Sequence, residues 1–552
     1  MSSPRFSILT PVHETPAPVL RKMLRSVRRQ ALGDWELCLV DDGSKQPHVR
    51  QILAAAAAAD PRVRVVHRER NGGIVAASNE ALAMARGEFV ALLDHDDELH
   101  PDALALVARA LDAEPEADYA YTDEDKIDLR GHHFAPFFKP DWSPERMRCQ
   151  MYTCHLSVLR RSLVDEVGGF DEEFQGSQDW DLVLRVTERA RRVVHVPRVL
   201  YHWRVLETSA AAAAEAKPWA FEAGARAVQA HCDRIGMGAE VEQDADDPGV
   251  LHLRPRLEGE PKVSIVIPTA GQARDVRFEP TVLVVNCVRG IVERSTYGNY
   301  EIVVVADEGI DEAVLEELRE IAGERLRVVW FEGEFDFSRK VNLGAIESDG
   351  EHLLLLNDDI EVTTPEWLER LVMYSRREGV GAVGAKLLWG DGRLQHVGLN
   401  FDHGLPGHLY HGFAGDFRGY MNSVLIARNC LAVTGACLMT RRDVFEELGG
   451  LTSHFPVNFN DVDYCLKACA SGRRVVYDPD TVLLHFESSS RAAKVEEWEF
   501  NRLVARWRPF AEPDPYGNPN LVRGLPRAPA HFAWAWRRPR LPWRARERGR
   551  HR

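Results

Sequence analysis

Apolar residues in this chain come in short runs, separated by longer stretches that carry a helical spacing of apolar and polar positions. In the first hundred residues, strand-like runs at 5–10, 36–40, 62–66 and 88–93 alternate with helical stretches around 17–30, 46–58 and 74–86. That alternation predicts a mostly parallel sheet with helices on both faces. Ligands of such sheets bind beyond the C-terminal ends of the strands, where the loops face an open crevice. Asp41-Asp42-Gly43-Ser44 and Asp94-His95-Asp96-Asp97 both fall at such ends.

The pattern is then written a second time. Phe6-Ser7-Ile8-Leu9-Thr10-Pro11 returns as Val263-Ser264-Ile265-Val266-Ile267-Pro268, and Trp35 to Val40 returns as Tyr300 to Val305. Leu92-Leu93-Asp94-His95-Asp96 returns as Leu355-Leu356-Asn357-Asp358-Asp359. Gln178-Asp179-Trp180-Asp181 returns as Asn460-Asp461-Val462-Asp463, and Leu200-Tyr201-His202 as Leu483-Leu484-His485. The order is kept while the offset drifts from 257 to 283. Two copies of one domain are expected, and the acids that recur are the first candidates for chemistry.

Composition narrows the class. At 552 residues, with 45% hydrophobic and 28% charged, the chain is long enough for two large cores. A net charge of −15 argues against general nucleic-acid binding, which needs a basic footprint. Nine cysteines without a CxxC pair argue for a reducing compartment. The N-terminus enters a strand pattern directly and no apolar run nears the ~20 residues of a membrane span, so a cytoplasmic location is expected. A join is expected over 209–260, where Pro218 opens a helix to about Ile235 and Gln243 to Gly249 reads as a polar linker. Domains are thus expected at 1–208 and 261–512, followed by a Pro/Trp/Arg-rich tail at 513–552. Trp534, Trp536, Trp543 and the arginines from Arg537 to Arg552 suit either a disordered end or peripheral contact with an anionic membrane face.

Two carboxylates one residue apart at a strand end can hold one hard cation such as Mn²⁺ or Mg²⁺. Asp94-His95-Asp96 has that form, and Asn357-Asp358-Asp359 keeps it with an amide in first place. Acids gathered at the end of a buried strand repel one another unless a cation neutralises them. His202 and His485 follow apolar runs and are candidate further ligands. Asp179 and Asp461 precede helical patterns, where an aspartate can cap the helix or project into the crevice.

These residues carry a resemblance to the family 2 glycosyltransferases. The first half is similar through Thr10 to Glu14, Val40 to Ser44, Asn71-Gly72-Gly73 with Asn79, Leu93 to Asp97, Gly168 to Asp171 and Gln178 to Asp181. Tyr121 to Lys126 with Phe138 to Asp141 resembles O-antigen transferases of the RfbC type. The second half resembles rhamnosyltransferase-like members through Leu356 to Glu361, Gly449-Gly450-Leu451 and His485 to Arg491. The resemblance implies an α/β fold of two tandem GT-A domains, Rossmann-like, that bind nucleotide-diphosphate sugars. It implies donor contacts from Pro11, Glu14, Asp41, Asp42, Asn79 and Asp94, and from Asp307, Asn342 and Asn357 in the second domain. It implies a metal site of Asp94, Asp96 and His202, repeated as Asn357, Asp359 and His485, and catalytic bases Asp179 and Asp461. The implied cofactor is Mn²⁺ or Mg²⁺. The implied donor is UDP- or dTDP-linked, and the implied acceptor a glycan or lipid-linked glycan of a bacterial surface polysaccharide, at the inner face of the membrane. Inversion follows from a single displacement at C1, with no covalent intermediate.

The second copy departs from the first. Ala306 stands where Asp41 does, Glu308-Gly309 replaces Gly43-Ser44, and a longer loop runs from Thr269 to Pro280. Two active domains are expected, with a degenerate second domain that binds acceptor as the alternative. A nucleotidyltransferase would need a Gly-rich loop near the first strand, which Pro11-Val12-His13-Glu14 lacks. A non-catalytic carbohydrate-binding protein would be indifferent to loss of Asp179.

Overall fold

The computed structural model describes residues 3–206, 218–276, 279–486, 495–522 and 524–526. The first half builds one sheet from β1 (Phe6–Val12), β2 (Trp35–Asp41), β3 (Val63–His67), β4 (Phe89–Leu92), β5 (Glu98–Leu99), β6 (Ala117–Ile127), β7 (His133–Phe137), β8 (Ser157–Arg160) and β9 (Arg192–Arg204). Their order is β3-β2-β1-β4-β8-β6-β9-β5, with β7 paired to β6. A hairpin of β10 (Ala239–Gln243) and β11 (Leu251–Pro255) follows.

The second half comprises β12 (Val263–Thr269), β13 (Ala273–Val276), β14 (Glu279–Val282), β15 (Tyr300–Asp307), β16 (Leu326–Phe331), β17 (His352–Leu356), β18 (Ile360–Val362) and β19 (Val380–Leu388). It continues with β20 (Leu394–His396), β21 (Leu399–Asp402), β22 (Leu405–His408), β23 (Arg428–Cys430), β24 (Cys437–Arg441) and β25 (Arg474–His485). The large sheet has the order β16-β15-β12-β17-β24-β19-β25-β18. Strand for strand this is the first order again, so the expected repeat is a repeat of topology. The long loop after Thr269 folds into the β13–β14 hairpin.

The expected elements form for the expected reasons. β1 and β12 are buried along nearly their whole length because helices cover both faces of the sheet. The helix Ala17–Arg28 buries Leu20, Met23, Leu24 and Val27, spaced three and four apart. Each such side chain contributes about 1.5–3 kcal/mol when removed from water. Val12 lies opposite Asp41 in the first sheet and Thr269 opposite Ala306 in the second, so the pairing register agrees with the sequence match of Asp41 to Ala306.

The joining segment is packed. Helix Pro218–Arg234 lies on helix Gln178–Thr187, and Gly224 faces the Trp180 ring so closely that a Cβ would stand 3.0 Å from it. His231 adds a bond to Glu188 at 2.7 Å. One apolar core runs through both halves. Across them, Ser143 Oγ donates to Asn429 Oδ1 at 2.8 Å and Tyr420 OH to the Pro136 carbonyl at 2.6 Å. The start of the expected tail packs on the first half: Asn518 Nδ2 donates to Asp123 Oδ2 at 2.9 Å and the Pro515 carbonyl accepts from Asp141 N–H at 2.8 Å. The tryptophans and arginines expected to meet a membrane lie outside the described residues, as do the alanine run at 210–214 and Glu487 to Arg491. Among the described residues, no helix is long and apolar enough to cross a membrane.

Candidate active site

In the first domain the ends of β1 and β2 and the loop after β3 are laced together. Asp41 Oδ1 accepts from Ser44 N–H at 3.1 Å, and its Oδ2 bonds His67 Nδ1 at 2.9 Å. Asp42 accepts from the N–H groups of Gly72 and Gly73, both at 2.9 Å, and pairs with Arg68 Nε at 3.2 Å. Glu14, at φ 49° and three residues beyond Pro11 of β1, receives Lys45 N–H at 2.6 Å. Gly43 has φ +69° and packs on the Arg70–Asn71 peptide, where a Cβ would come within 2.7 Å of Asn71 N. Expected donor residues Pro11, Glu14, Asp41 and Asp42 therefore converge, on a frame that only glycine closes.

The acid triplet follows β4. Asp94 N–H donates to Tyr201 OH at 3.2 Å, and Tyr201 OH donates to Asp97 Oδ2 at 2.6 Å. Burial raises the Asp94 pKa; His155 and His95 oppose the rise, and Asp96 and Asp179 add to it. Burial, then Asp94 and Asp96, lift Asp97 well above the carboxylate range. Asp179, in the first turn of helix Gln178–Thr187, is raised by burial, against the opposing charge of His155.

His155 was missed by sequence reasoning. It precedes β8, stacks on Tyr201 with ring centroids 5.3 Å apart, and lies 4.6 Å from the Trp203 ring. Its Nδ1 donates to Glu124 Oε2 at 3.0 Å, and Lys139 Nζ holds the same carboxylate at 3.1 Å. Burial disfavours its charge, but Glu124 outweighs burial and raises its pKa to about 9. The repeat could not flag it: β8 and β24 are equivalent, and Ala436 stands where His155 does.

His202 is a correction. It bonds Asp125 Oδ1 through Nδ1 at 2.7 Å, and the same carboxylate holds His133 at 3.0 Å. The structure groups it with those residues rather than with Asp94 and Asp96. The cause is register. His202 pairs with Glu98, two residues past Asp96, whereas His485 pairs with Ile360, one residue past Asp359. A shift of one turns a side chain to the other face of its strand.

Asn79 and Asn342 share one arrangement. Asn79 Nδ2 donates to the Phe170 carbonyl at 2.8 Å and its Oδ1 accepts Phe170 N–H at 2.9 Å. Asn342 does the same to Leu451, at 2.7 and 2.9 Å. Both amides clamp the backbone after a Gly-Gly turn.

In the second domain Asn357, Asp359 and His485 meet. His485 Nε2 lies 3.1 Å from Asp359 Oδ1 and 3.3 Å from Asn357 Nδ2. His485 Nδ1 is 2.7 Å from Gln395 Oε1, an acceptor, so Nδ1 carries a proton and the neutral imidazole presents a lone pair on Nε2. Asp359 Oδ1 is buried with no hydrogen-bond partner among the described residues. Two lone pairs facing at 3.1 Å fit a divalent cation, with Gln395 orienting the imidazole. Asp358 accepts from Thr269 Oγ1 at 2.6 Å, and burial with the charge of Asp359 raises its pKa to about 6. Asp461 Oδ2 accepts from Gly435 N–H at 2.7 Å, and burial raises its pKa against that bond. Asp307, the expected donor acid, pairs with Lys340 Nζ at 2.8 Å, and Lys340 also donates to the Thr269 carbonyl at 2.9 Å. Asn357, Asp358, Asp359, Asp461 and Lys340 line one cleft of about 430 Å³.

The model "Glycosyl transferase family 2" matches residues 7–168, and "Glycosyltransferase like family 2" matches residues 261–507. The chain is 42% identical over 535 residues to uncharacterized protein y4gI of Sinorhizobium fredii, covering 94% of this chain and 58% of that protein. It is 38% identical over 526 residues to O-antigen biosynthesis protein RfbC of Myxococcus xanthus, covering 94% of this chain and 40% of that protein. The chain thus spans 58% and 40% of the lengths of these two relatives. A PGL/p-HBAD biosynthesis glycosyltransferase of Mycobacterium bovis is 30% identical over 187 residues, 34% of this chain and 70% of that protein. With two sheets of one topology, each ending in recurrent acids, the chain belongs to the family 2 glycosyltransferases and is built of two tandem GT-A domains.

Proposed function

We propose that the chain transfers sugars from nucleotide-diphosphate donors, UDP- or dTDP-linked, to a glycan or lipid-linked glycan during synthesis of a bacterial surface polysaccharide, with inversion at C1. The observation that carries the reading is the second cleft, where a metal-type set (Asn357, Asp359, His485) and a desolvated aspartate, Asp461, line or border one space. The similarity to the RfbC protein supports the O-antigen-like product class. The reading divides the chain into domains at 1–208 and 261–512, joined by 209–260, with the tail at 513–552 as a candidate membrane contact on the cytoplasmic side.

Asp179 and Asp461 are the proposed bases, each at a helix start beside its acid triplet. A raised pKa keeps a carboxylate basic enough to take the acceptor proton as the hydroxyl attacks C1, a contribution of ~10²–10⁴ in rate. Mn²⁺ or Mg²⁺, held by Asp94 and Asp96 in the first domain and by Asp359, His485 and Asn357 in the second, would take up charge on the departing diphosphate. Asp41 and Asp42 would hold the nucleoside in the first domain. In the second, Asp307 is tied to Lys340 and Ala306 offers no carboxylate, so its nucleotide pocket has a different charge balance.

The test is calorimetric titration of the full chain with UDP, dTDP and GDP in Mn²⁺, beside Asp96→Ala and Asp359→Ala. Two metal-dependent sites, one lost in each variant, are expected. One site lost only with Asp96 would make the second domain a degenerate copy that binds acceptor. No metal-dependent nucleotide binding at all would sink the reading.

A further inference from the structure

The cleft of the second domain has a wall that is not repeated in the first. The small sheet β21–β22 has no equivalent in the first half among the described residues. Its last residue, His408, lines the cleft together with Thr434, Gly435, Asp359 and Asp461.

His408 is held from behind by His396, the buried last residue of β20. His396 Nε2 receives two backbone N–H groups, from Gly398 at 3.2 Å and Thr434 at 3.3 Å. A backbone N–H only donates, so this nitrogen presents its lone pair and the one proton of neutral His396 sits on Nδ1. Nδ1 lies 2.9 Å from His408 Nδ1. That atom must therefore accept, which leaves the proton of His408 on Nε2. A His408 protonated on both nitrogens would set two N–H groups against each other at 2.9 Å. Burial, then the charges of His408, Arg428 and His485, hold His396 well below the usual imidazole range. Desolvation by the surrounding protein, then the charges of His411 and His485, press His408 down to about 4, although its outer edge is exposed at the mouth of the cleft.

The relay shares its frame with the proposed base. Thr434 N–H fixes His396, and the next N–H, that of Gly435, fixes Asp461 Oδ2. Consecutive peptides thus set the donor on one wall relative to the carboxylate on the other.

We propose that His408 presents a tautomer-locked, uncharged Nε2–H to a sugar hydroxyl or amide oxygen in this cleft; the inference rests on the reading of the cleft as a glycosyl-transfer site. An uncharged donor suits an uncharged oxygen, since a phosphate is held more strongly by charged groups. The sugar is that of the donor or of the acceptor, and the experiment separates the two.

The full chain labelled with ¹⁵N-histidine, with resonances assigned by H408Q and H396Q, reports each tautomer at pH 7. Protonation of His408 on Nε2 and of His396 on Nδ1 is expected, and His408 protonated on Nδ1 overturns the proposal. Titration then uses UDP, UDP-glucose and UDP-N-acetylglucosamine, followed by methyl glycosides added to UDP-saturated protein. A His408 Nε2–H that moves with a sugar nucleotide but not with UDP assigns the donor sugar; movement only with glycosides assigns the acceptor. No movement with any of them, while UDP binds, overturns the proposal. Failure of UDP to bind at the Asp359-dependent site instead overturns the transfer reading beneath it. His408→Ala should weaken the sugar ligand about threefold to tenfold and leave UDP unchanged, whereas His408→Gln, which keeps an N–H donor, should recover most of that loss. Equal affinities in both variants and the parent chain would refute it.

Discussion

Asp179 and Asp461 open equivalent helices, but different groups bear on them. Asp179 feels the charge of His155, and Asp461 is held by the Gly435 N–H. Replacing Asp179 with Asn should lower first-domain transfer by ~10²–10⁴ while nucleotide titration stays unchanged. The base must be ionised for transfer, and burial raises its pKa. Activity should therefore fall with decreasing pH at a value above the ordinary aspartate range. Loss of the cation in His155→Ala should move that acidic limb upward in a pH–rate profile. His202→Ala should leave Mn²⁺-dependent nucleotide affinity in place, because His202 is engaged with Asp125 and His133. A loss of metal dependence in that variant would return His202 to the acid triplet.

At the scale of elements, the alternation of strands and helices was legible because a buried parallel strand and an amphipathic helix each write a periodic pattern. Asn79 and Asn342 were legible as candidate residues, but the work of their amides was not. The amide spends donor and acceptor on the backbone that follows a Gly-Gly turn, and only the fold brings helix and turn together. Asn342→Ala leaves Leu451 N–H and C=O without their partner and should cost about 1–3 kcal/mol in denaturant unfolding. Nucleotide affinity should not change; if it does, the amide also reaches the donor. His155 and Lys340 left no trace in the repeat because each belongs to one copy only.

At the scale of the whole molecule, the join is part of the fold. His252 of β11 stands between Asp480 of β25, at 2.9 Å, and Asp244, at 3.2 Å. Burial opposes its charge, but the two carboxylates prevail and raise its pKa to about 9. Its stabilising contribution is therefore complete below its unfolded value of ~6.5 and is lost as pH rises through about 9. Thermal unfolding should fall in midpoint between those values, and His252→Ala should flatten that part of the profile. An unchanged slope would place the dependence elsewhere.

By itself the sequence determined that one domain occurs twice, that each copy is an alternating α/β sheet, and that acids recur at strand ends. Those properties are local or repeated: a period, a spacing, a motif kept in order. The tertiary structure alone decided which imidazole stands beside which acid. A one-residue difference in register sends His202 and His485 to different faces, His155 arrives from the loop before β8, and His396 fixes the proton of His408 from a separate sheet. Contacts of that kind join residues far apart in the chain, and side-chain direction in a strand reverses at every step, so no periodicity or spacing encodes them.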